Sequence, residues 1–450
     1  MTPPASAPTV ALLPWGLLFD EDYLDTIGVS LEAFCVDGAG GHLFNFITAL
    51  QHEGVRTVLV LFSRRVARPT RYVNRSTGAT VLVVPPPARY RVLRDLLARP
   101  GLRGLLRTIG RAVRTIADEI AAYLATPLRS LARELRREGC RAIVCQEYEF
   151  VRFDVCVLLG RAMRLPVFAT FQGGNKLSGE LQRLVRPRTV RRAAGLIIAP
   201  STEIDRVRNA YGVPAGRIAQ IFNALEPSAF DAPSRDAARV TLGIPASARV
   251  AVWHGRVEVA TKGVDVLVDA WESVCAARPG VDLRLFMLGT GVDAAWMHER
   301  LASGTVRGIS WRDEYVQDRA LLRLHLAAGD VFAFPSRHEG FAVAPLEAMA
   351  CGLPLVAADA PGIPDLLSGG EESGGIMVPR GDVGAFAAAL GRALDDVAWT
   401  TAIGARARQR VADRCAPESV GRQLRTFLFR DLPTSPPAGD ASLPTAARST

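Results

Sequence analysis

Short apolar runs alternate along this chain with longer amphipathic stretches. An apolar run near residues 9–15 is followed by a glycine-rich turn, a helical pattern and a second apolar run at residues 56–63. Further apolar runs follow at residues 141–146, 166–170 and 195–201. Strand, glycine turn, helix and strand in this order predict a doubly wound parallel sheet.

A second alternating series begins near residue 249, where RVAVWHG precedes the helical pattern VDVLVDAWESVCAA. The runs LRLFMLG, GDVFAFPS and LPLVAAD continue it, so the second half repeats the architecture of the first. We predict four segments, with a linker rich in proline and a disordered tail rich in Pro, Ala and Ser. They are a first Rossmann-like domain at 1–225, a linker at 226–248, a second Rossmann-like domain with closing helices at 249–430, and the tail at 431–450.

Composition places the chain among globular proteins and excludes several classes. Its 450 residues are 49% hydrophobic and 22% charged, enough to bury two cores. The seven cysteines are scattered without a C-x-x-C pair, which favours a reducing compartment over a disulfide framework or a zinc site. Neither a signal-peptide pattern nor an apolar run of about 20 residues is present in the sequence, so we predict a cytoplasmic protein.

Positive charge is concentrated in the first half of the chain. Residues 1–225 carry 31 basic and 18 acidic side chains, and residues 89–141 alone carry 13 arginines and 5 acids. Three interpretations stay open for this arginine-rich stretch: plain helical surface, peripheral contact with an anionic membrane, or contact with an anionic acceptor. We predict no nucleic-acid partner, because no binding module or aromatic platform accompanies the charge.

Two segments of the second half carry chemistry suited to a diphosphate. In HEGFAVAPLEAM, Gly340 lets a ligand approach the backbone and Pro345 suits the first turn of a helix. That helix would direct unpaired N–H groups towards the loop of Glu339. Arg256 and Lys262, in a glycine-flanked loop after a strand, supply permanent cations for pyrophosphate oxygens.

Glu347 completes this pattern, because a carboxylate inside the helix can accept both hydroxyl groups of a ribose. Each residue also has a structural interpretation. Glutamates are common at helix starts, and an arginine with a lysine can form a solvated surface pair. The combination with Gly340 and the strand-end loops favours a ligand site.

Together these segments resemble family 4 of the retaining, nucleotide-sugar-dependent glycosyltransferases, over roughly residues 9–430. The resemblance implies an α/β architecture of the GT-B type, in which two Rossmann-like domains with doubly wound parallel sheets face each other. It is strongest in the second half, where Glu339 and Glu347 match the two glutamates that the family separates by seven residues.

The resemblance also implies roles for single residues. Glu339 contacts the donor sugar and Glu347 the ribose, while Arg256 and Lys262 stabilise the leaving nucleoside diphosphate and, with Glu339, form the catalytic set. Further donor contacts that it implies are the backbone N–H groups of Gly340 and Phe341 and the turn of Gly40 and Gly41.

The chain departs from the family pattern at Gln172, which precedes Gly173 and stands where many relatives place a histidine facing the donor sugar. Glutamine cannot transfer a proton, but it can hydrogen-bond a sugar hydroxyl. Family members of this kind use a front-face substitution in which the departing phosphate takes the acceptor proton, so activity is compatible with the change. A second departure is Ala224 after Asn223, an asparagine expected to organise the interdomain turn.

Several first-domain residues are candidates for the acceptor side, with Gln172 and Gly173 among them. His42 is either a hydrogen-bonding group for the acceptor or a helix-terminus histidine without a substrate role. Glu147, with its neighbours Glu149 and Asp154, either lines the acceptor cleft or belongs to an ordinary loop.

An acidic cluster after the first strand has the D-x-D spacing of some metal sites but lacks a partner site. We predict a solvated or acceptor-facing loop there, and no bound metal. The cluster comprises Asp20, Glu21, Asp22 and Asp25.

We therefore predict a retaining, metal-independent hexosyltransferase without a cofactor, which takes a nucleotide sugar, expected to be a UDP-sugar, and an unknown hydroxyl acceptor. Two alternatives stay open. One is a nucleotide-sugar hydrolase or epimerase of the same fold, and the other is a catalytically silent nucleotide-sugar-binding protein, which Gln172 favours.

Overall fold

The computed structural model describes residues 7–25, 28–99, 111–173, 179–226, 230–304, 306–316 and 318–430. The predicted tail and part of the arginine-rich stretch lie outside the described residues. Two mostly parallel sheets, one in each half of the chain, confirm the predicted two-domain α/β architecture.

The first sheet has eight strands in the order β3-β4-β2-β1-β5-β6-β7-β8. Every described pairing is parallel except that of β3 with β4. The strands are β1 Thr9–Leu13, β2 Arg56–Phe62, β3 Thr70–Val73, β4 Thr80–Val84, β5 Cys140–Gln146, β6 Val167–Thr170, β7 Gly195–Ile197 and β8 Ile218–Ala219.

Helices cover both faces of this sheet. They are α1 Leu31–Asp37, α2 Gly41–His52, α3 Ala88–Ala98, α4 Arg111–Leu124, α5 Leu128–Arg137, α6 Val151–Met163, α7 Glu180–Arg192 and α8 Ser201–Tyr211. A π-helical turn, Asp20–Leu24, follows β1, and a 3₁₀ turn, Ala215–Arg217, precedes β8.

The second sheet has six strands, all parallel, in the order β11-β10-β9-β12-β13-β14. They are β9 Arg249–His254, β10 Leu283–Leu288, β11 Ile309–Arg312, β12 Val331–Phe334, β13 Leu355–Ala358 and β14 Gly375–Val378.

The helices of the second half surround this sheet and continue beyond it. They are α9 Arg235–Leu242, α10 Val259–Lys262, α11 Val264–Ala276, α12 Ala294–Ala302, α13 Arg319–Ala328, α14 Val343–Ala350, α15 Ile363–Leu366, α16 Val383–Asp395, α17 Val397–Cys415 and α18 Pro417–Phe429, with a 3₁₀ turn at Gly370–Ser373.

The near-continuous apolar strands are buried because helices cover both faces of each sheet. In β2 all residues after Arg56 are buried, and β12 and β13 are buried along their whole lengths. Side chains that point to opposite faces of a strand enter different cores. Val58 of β2 packs in one apolar cluster and Leu59 in another, so each domain has a core above and a core below its sheet.

Two features cross the predicted segment boundaries, which themselves stay predictions. The segment predicted as a linker contains α9, whose Ala238 is fully buried in a core of the second domain. The last helix, α18, was predicted with the second domain but packs on α2 of the first. An added Cβ at Gly421 would lie 2.0 Å from the backbone oxygen of Ala49, so glycine permits this close helix contact.

A search of the described helices finds none that is both long and apolar enough to span a membrane.

Candidate active site

The candidate site lies where strands of the second sheet end and face the first domain. Strands β9 and β12 are adjacent and parallel, so the loops after His254 and Phe334 leave the sheet at the same edge. Crevices at the carboxyl ends of parallel strands are the usual ligand sites of open α/β sheets. One loop carries Arg256 and Lys262, and the other carries Glu339 and Gly340.

Lys262 and Glu339 form the centre of the site. The Lys262 ammonium donates a hydrogen bond of 2.6 Å to Glu339 Oε1, and both side chains are largely buried. Gly263, which follows α10 and has φ 62°, allows this contact to form. A Cβ there would lie 2.3 Å from the backbone oxygen of Pro335, so only glycine lets the two loops approach so closely.

Backbone hydrogen bonds hold the same two loops together. The Arg337 and His338 N–H groups donate to the Thr261 carbonyl oxygen at 2.8 and 3.2 Å. The Arg337 guanidinium also binds Asp265 at the start of α11, with N···O distances of 2.7 and 2.8 Å. The lysine and the glutamate are therefore held in place by contacts that do not involve either of them.

Glu347 lies inside α14, which begins at Val343 as the sequence predicts. Its buried carboxylate accepts a hydrogen bond of 2.5 Å from the guanidinium of Arg319. On its other side, Oε2 lies 3.3 Å from Nε2 of His254. Burial lowers the pKa of His254, an effect that the Glu347 charge opposes and the Arg319 charge reinforces, so this imidazole is neutral near pH 7.

Arg319 is a residue that the sequence analysis missed. It is the first residue of α13 and contacts both domains, because an added Cβ at Gly40 would lie 3.7 Å from its guanidinium carbon. Gly40 and Gly41 both have positive φ, 67° and 61°, which is what a glycine turn at a helix start requires. The predicted first-domain turn thus faces the Arg319–Glu347 pair.

A second contact between the domains joins the loop of Gly340 to the segment of Gln172 and Gly173. A Cβ on Gly340 would lie 2.2 Å from the carbonyl carbon of Gln172 and 2.3 Å from the nitrogen of Gly173. The Asn223 side-chain amide donates a bond of 2.7 Å to the Phe341 carbonyl oxygen, and the Phe341 ring is buried in the second-domain core. Gln172 and Gly173 therefore lie directly against the loop of Glu339.

Several buried polar atoms around this cleft have no hydrogen-bond partner in the part of the chain that the structure describes. Buried polar groups in proteins are nearly always paired, so a cluster of unpaired ones is typical of a ligand-binding site. The cleft atoms in question are His42 Nδ1, Thr261 Oγ1 and Ser336 Oγ.

His42 stands in the first turn of α2, and burial lowers its pKa to about 4. In the unfolded chain His42 takes up a proton near the ordinary pKa of 6.5, whereas in the folded chain it stays neutral. The folded state therefore loses stability as the pH falls below about 6.5. We expect His42→Asn to reduce the loss of unfolding free energy between pH 7 and pH 5 by up to about 2 kcal/mol, measured by urea denaturation.

The matched control is His52→Asn, because His52 is exposed at the other end of the same helix. It should leave the pH dependence of the wild-type protein nearly unchanged. An acid sensitivity that is equal in wild type and His42→Asn would refute the buried, neutral state of His42.

Arg256 is an exposed residue among the predicted donor residues. Its side chain is 72% exposed, and its guanidinium lies 3.5 Å from the Glu258 carboxylate. The charge of Arg256 acts on Tyr23 of the first domain, where it partly opposes the raised pKa that burial gives this phenol. The Arg256 charge therefore acts across the domain boundary on a residue of the first domain.

The sequence left open whether Glu147, Glu149 and Asp154 line the acceptor cleft or belong to an ordinary loop. In the structure, each of these carboxylates binds neighbouring groups of the first domain. The Glu147 carboxylate accepts the backbone N–H groups of Glu149 and Gln172, each at 3.0 Å, so it shapes the loop that carries Gln172. Asp154 is fully buried and binds the equally buried Arg186 at 2.8 and 3.0 Å. Glu149 accepts from Arg186 as well, at 3.1 Å. Glu149 and Asp154 thus each form an ion pair with Arg186 in the interior of the first domain.

The acidic cluster after β1 forms ion pairs with the strand-end loop after β2. Glu21 lies 3.8 Å from Arg64, and Asp25 binds Arg65. Within the described residues, no group of three or more His, Cys, Asp or Glu side chains is placed to hold a metal ion.

The chain is similar to known glycosyltransferases in sequence and to proteins of solved structure in fold. Residues 248–396, which hold both candidate loops, match the family model "Glycosyl transferases group 1". The chain is 32% identical over 243 residues to the D-inositol 3-phosphate glycosyltransferase of Kineococcus radiotolerans, covering 51% of this chain and 55% of that protein. Sucrose-phosphate synthase from Thermosynechococcus elongatus superposes with a TM-score of 0.66 at 18% identity, over 94% of this chain and 99% of that one. The second domain is thus similar to the group 1 glycosyl transferases, and the whole chain has the GT-B fold.

Other similar proteins cover comparable shares of the chain. The D-inositol 3-phosphate glycosyltransferase of Corynebacterium urealyticum is 32% identical over 278 residues, 60% of this chain and 64% of that protein. The chain therefore spans between half and two thirds of the length of these two curated relatives. Anabaena Alr3699/HepE, solved in complex with UDP, superposes with a TM-score of 0.65 at 15% identity over 94% of this chain and all of that one.

Proposed function

We propose that this protein transfers a hexose-type sugar from a nucleoside diphosphate sugar, with UDP as the expected nucleotide, to a hydroxyl acceptor with retention at the anomeric carbon. The observation that carries this proposal is the buried Lys262–Glu339 pair beside Gly340, in direct contact with Gln172 and Gly173 of the opposite domain. A cation, an acidic acceptor of hydrogen bonds and a bare backbone meet there in one cleft.

Charge on the leaving diphosphate is what these residues are suited to stabilise. The Lys262 ammonium is held in place before any ligand binds, and Arg256 adds a second permanent cation from the same strand-end loop. Preorganised charges in a cleft shielded from water stabilise a developing negative charge far more than solvent does. We therefore propose that no metal is needed for this step, and that EDTA leaves the rate unchanged.

The acceptor proton has few destinations on the protein among the predicted site residues. Gln172 cannot titrate, Glu339 is paired with Lys262, and the Glu147 carboxylate holds two backbone N–H groups. These contacts support a front-face substitution, in which the departing phosphate oxygen takes the proton from the acceptor hydroxyl.

The nucleotide can be identified by ligand-dependent thermal stability. A ligand that binds the folded state raises the melting temperature, so UDP-, GDP- and ADP-glucose, with GDP-mannose, should rank by affinity, and we expect UDP-glucose to give the largest shift. HepE, solved with UDP-glucose, supports this expectation, whereas a relative from Corynebacterium glutamicum is described as GDP-mannose-dependent. The absence of any shift with all four donors would refute the proposal.

Donor consumption then separates the proposal from its alternatives. A transferase consumes donor only when an acceptor is present, a hydrolase or epimerase consumes or rearranges it alone, and a silent binding protein shows a thermal shift without turnover. Mass spectrometry of the sugar products with and without a mixed acceptor pool distinguishes these three outcomes.

We also propose that the first domain makes peripheral contact with an anionic membrane. Helices α3 and α4 pack together and expose four large apolar side chains beside exposed arginines such as Arg89, Arg91 and Arg94. An amphipathic surface with a basic rim binds anionic lipid through both apolar burial and charge. The apolar side chains are Val92, Leu96, Ile116 and Ile120, between 41% and 67% exposed.

We expect Val92→Asp with Ile116→Asp to reduce co-sedimentation with anionic phosphatidylglycerol vesicles at least about fivefold at low salt, because both changes put charge into the apolar surface. The matched control is Val240→Asp, which replaces an 82% exposed valine of the second domain. Wild-type protein that does not sediment with these vesicles at low salt would leave the arginine-rich helices as plain surface.

A further inference from the structure

Five aromatic side chains of the first domain form a continuous cluster beside the Gly40–Gly41 turn. Their ring centroids are 4.9 to 6.4 Å apart in the successive pairs, within the range of favourable aromatic contacts. They come from the loop and turn after β1 and from the first two helices. We call them, with the space that they enclose, the aromatic pocket: Trp15, Phe19, Tyr23, Phe34 and Phe44.

The aromatic pocket is a cavity of about 430 Å³, a size usual for sites that bind small organic molecules. Val29 and Leu43 add further apolar surface from the first domain. The second domain closes the cavity with Tyr315, Val316 and Arg319. The Tyr23 and Tyr315 phenols interact across the two domains, and burial raises the pKa of Tyr23, so its phenol stays protonated.

The pocket opens towards the proposed donor site. Residues 38–42 line one side of it, where a Cβ added at Gly40 would lie 3.7 Å from the Arg319 guanidinium that pairs with Glu347. Gln146, at the end of β5, also lines the pocket and lies in register with Thr170, two residues before Gln172. A molecule in the pocket would therefore have one end beside the sugar-binding loops.

Charge in the pocket argues against an anionic occupant. The charged side chains among its described lining residues are Asp37 and Arg319, and each is already in an ion pair. Asp37 lies 2.6 Å from Arg75, and Arg319 lies 2.5 Å from Glu347. His42, also in the lining, is neutral because burial lowers its pKa to about 4. A phosphate group would find no unpaired cation in this lining.

We propose that the aromatic pocket binds the acceptor, and that the acceptor is a neutral hydroxyl compound whose apolar ring system packs between Trp15, Phe34 and Tyr315. This inference rests on the proposed function and adds the chemical class of the acceptor. The acceptor hydroxyl oxygen forms a bond to the anomeric carbon of the donor sugar, the bond from that carbon to the diphosphate breaks, and the hydroxyl proton passes to the departing phosphate oxygen.

Calorimetric binding of 2-naphthol, a neutral hydroxylated bicyclic ring, tests the pocket directly. Phe34→Ala removes a half-buried lining ring, and Tyr315→Ala removes a 47% exposed lid residue without touching the core. We expect saturable binding to the wild-type protein, weakened at least about tenfold by either change. The matched control is Phe427→Ala, since Phe427 is a partly buried ring packed on the same core but outside the pocket.

Other outcomes overturn the inference. One is tighter binding of myo-inositol 1-phosphate or of 1-octanol than of 2-naphthol. The other is that Phe427→Ala weakens 2-naphthol binding as much as Phe34→Ala or Tyr315→Ala does. Thermal shifts with nucleotide sugars keep this test separate from the proposed function. If nucleotide sugars stabilise the protein but 2-naphthol does not bind, the pocket assignment fails and the transfer reaction stands. If 2-naphthol binds but no nucleotide sugar does, the proposed function fails.

Discussion

Replacing Lys262 with alanine is expected to lower kcat by about 10²- to 10³-fold, the usual cost of removing one preorganised charge from a transition state. The Lys262 ammonium is already bound to Glu339 at 2.6 Å, so it needs no rearrangement to meet the leaving diphosphate. Steady-state release of nucleotide by wild type and variant measures the effect, and KM should change less than kcat if the charge acts mainly on the transition state.

The variant also leaves Glu339 buried without its partner, which destabilises the loop. Lys262→Met combined with Glu339→Gln avoids an unpaired buried charge and should be as inactive as the single variant while melting at a temperature close to that of the wild type. The matched control is Arg278→Ala, which breaks a 2.7 Å ion pair with Asp395 elsewhere in the second domain. Turnover within threefold of wild type in a folded Lys262→Ala protein would remove the assignment.

Replacing Gly340 with alanine is expected to reduce turnover about 10²-fold, because a displacement of about 1 Å at a reacting centre has that effect. The added methyl group would lie 2.2 and 2.3 Å from backbone atoms of Gln172 and Gly173. Backbone atoms cannot give way as a flexible side chain can, so the two domains must separate at this contact. Turnover and the radius of gyration from small-angle X-ray scattering report the two consequences.

Gly280→Ala is the control for this change, since Gly280 lies in the same domain with open space around its Cα. It should leave both measurements unchanged. A Gly340→Ala enzyme with wild-type turnover would show that the Gly340 contact is not required in the reacting state.

The repeating strand and helix patterns were sufficient to predict two parallel sheets, because strands covered on both faces must be apolar along their whole length, as in β2 and β12. The same reasoning missed β3. That strand is only partly buried and its residues are half polar, so its pattern resembles a loop. It also missed α9, because prolines lie near both ends of this short helix. Ser234 caps the start of α9, and Ala238 packs in the core of the second domain.

The site residues that the sequence predicted lie in loops at strand ends, where the chemistry requires a particular residue type. Lys262, Glu339 and Gly340 are such residues, since their loops leave adjacent parallel strands. Arg319 carried no comparable signal. Its position is the start of an ordinary amphipathic helix, and only the approach of Gly40 from the other domain makes it part of the cleft.

The sequence by itself determined the two sheets, the glycine turns and the loops with chemistry for a diphosphate, because periodicity and residue type act over a few neighbouring positions. Only the tertiary structure decided which loops meet, that α18 returns to the first domain, and that five aromatic rings from separate segments enclose one cavity. Contacts between residues far apart in the chain depend on how whole elements pack, and no local pattern encodes that packing.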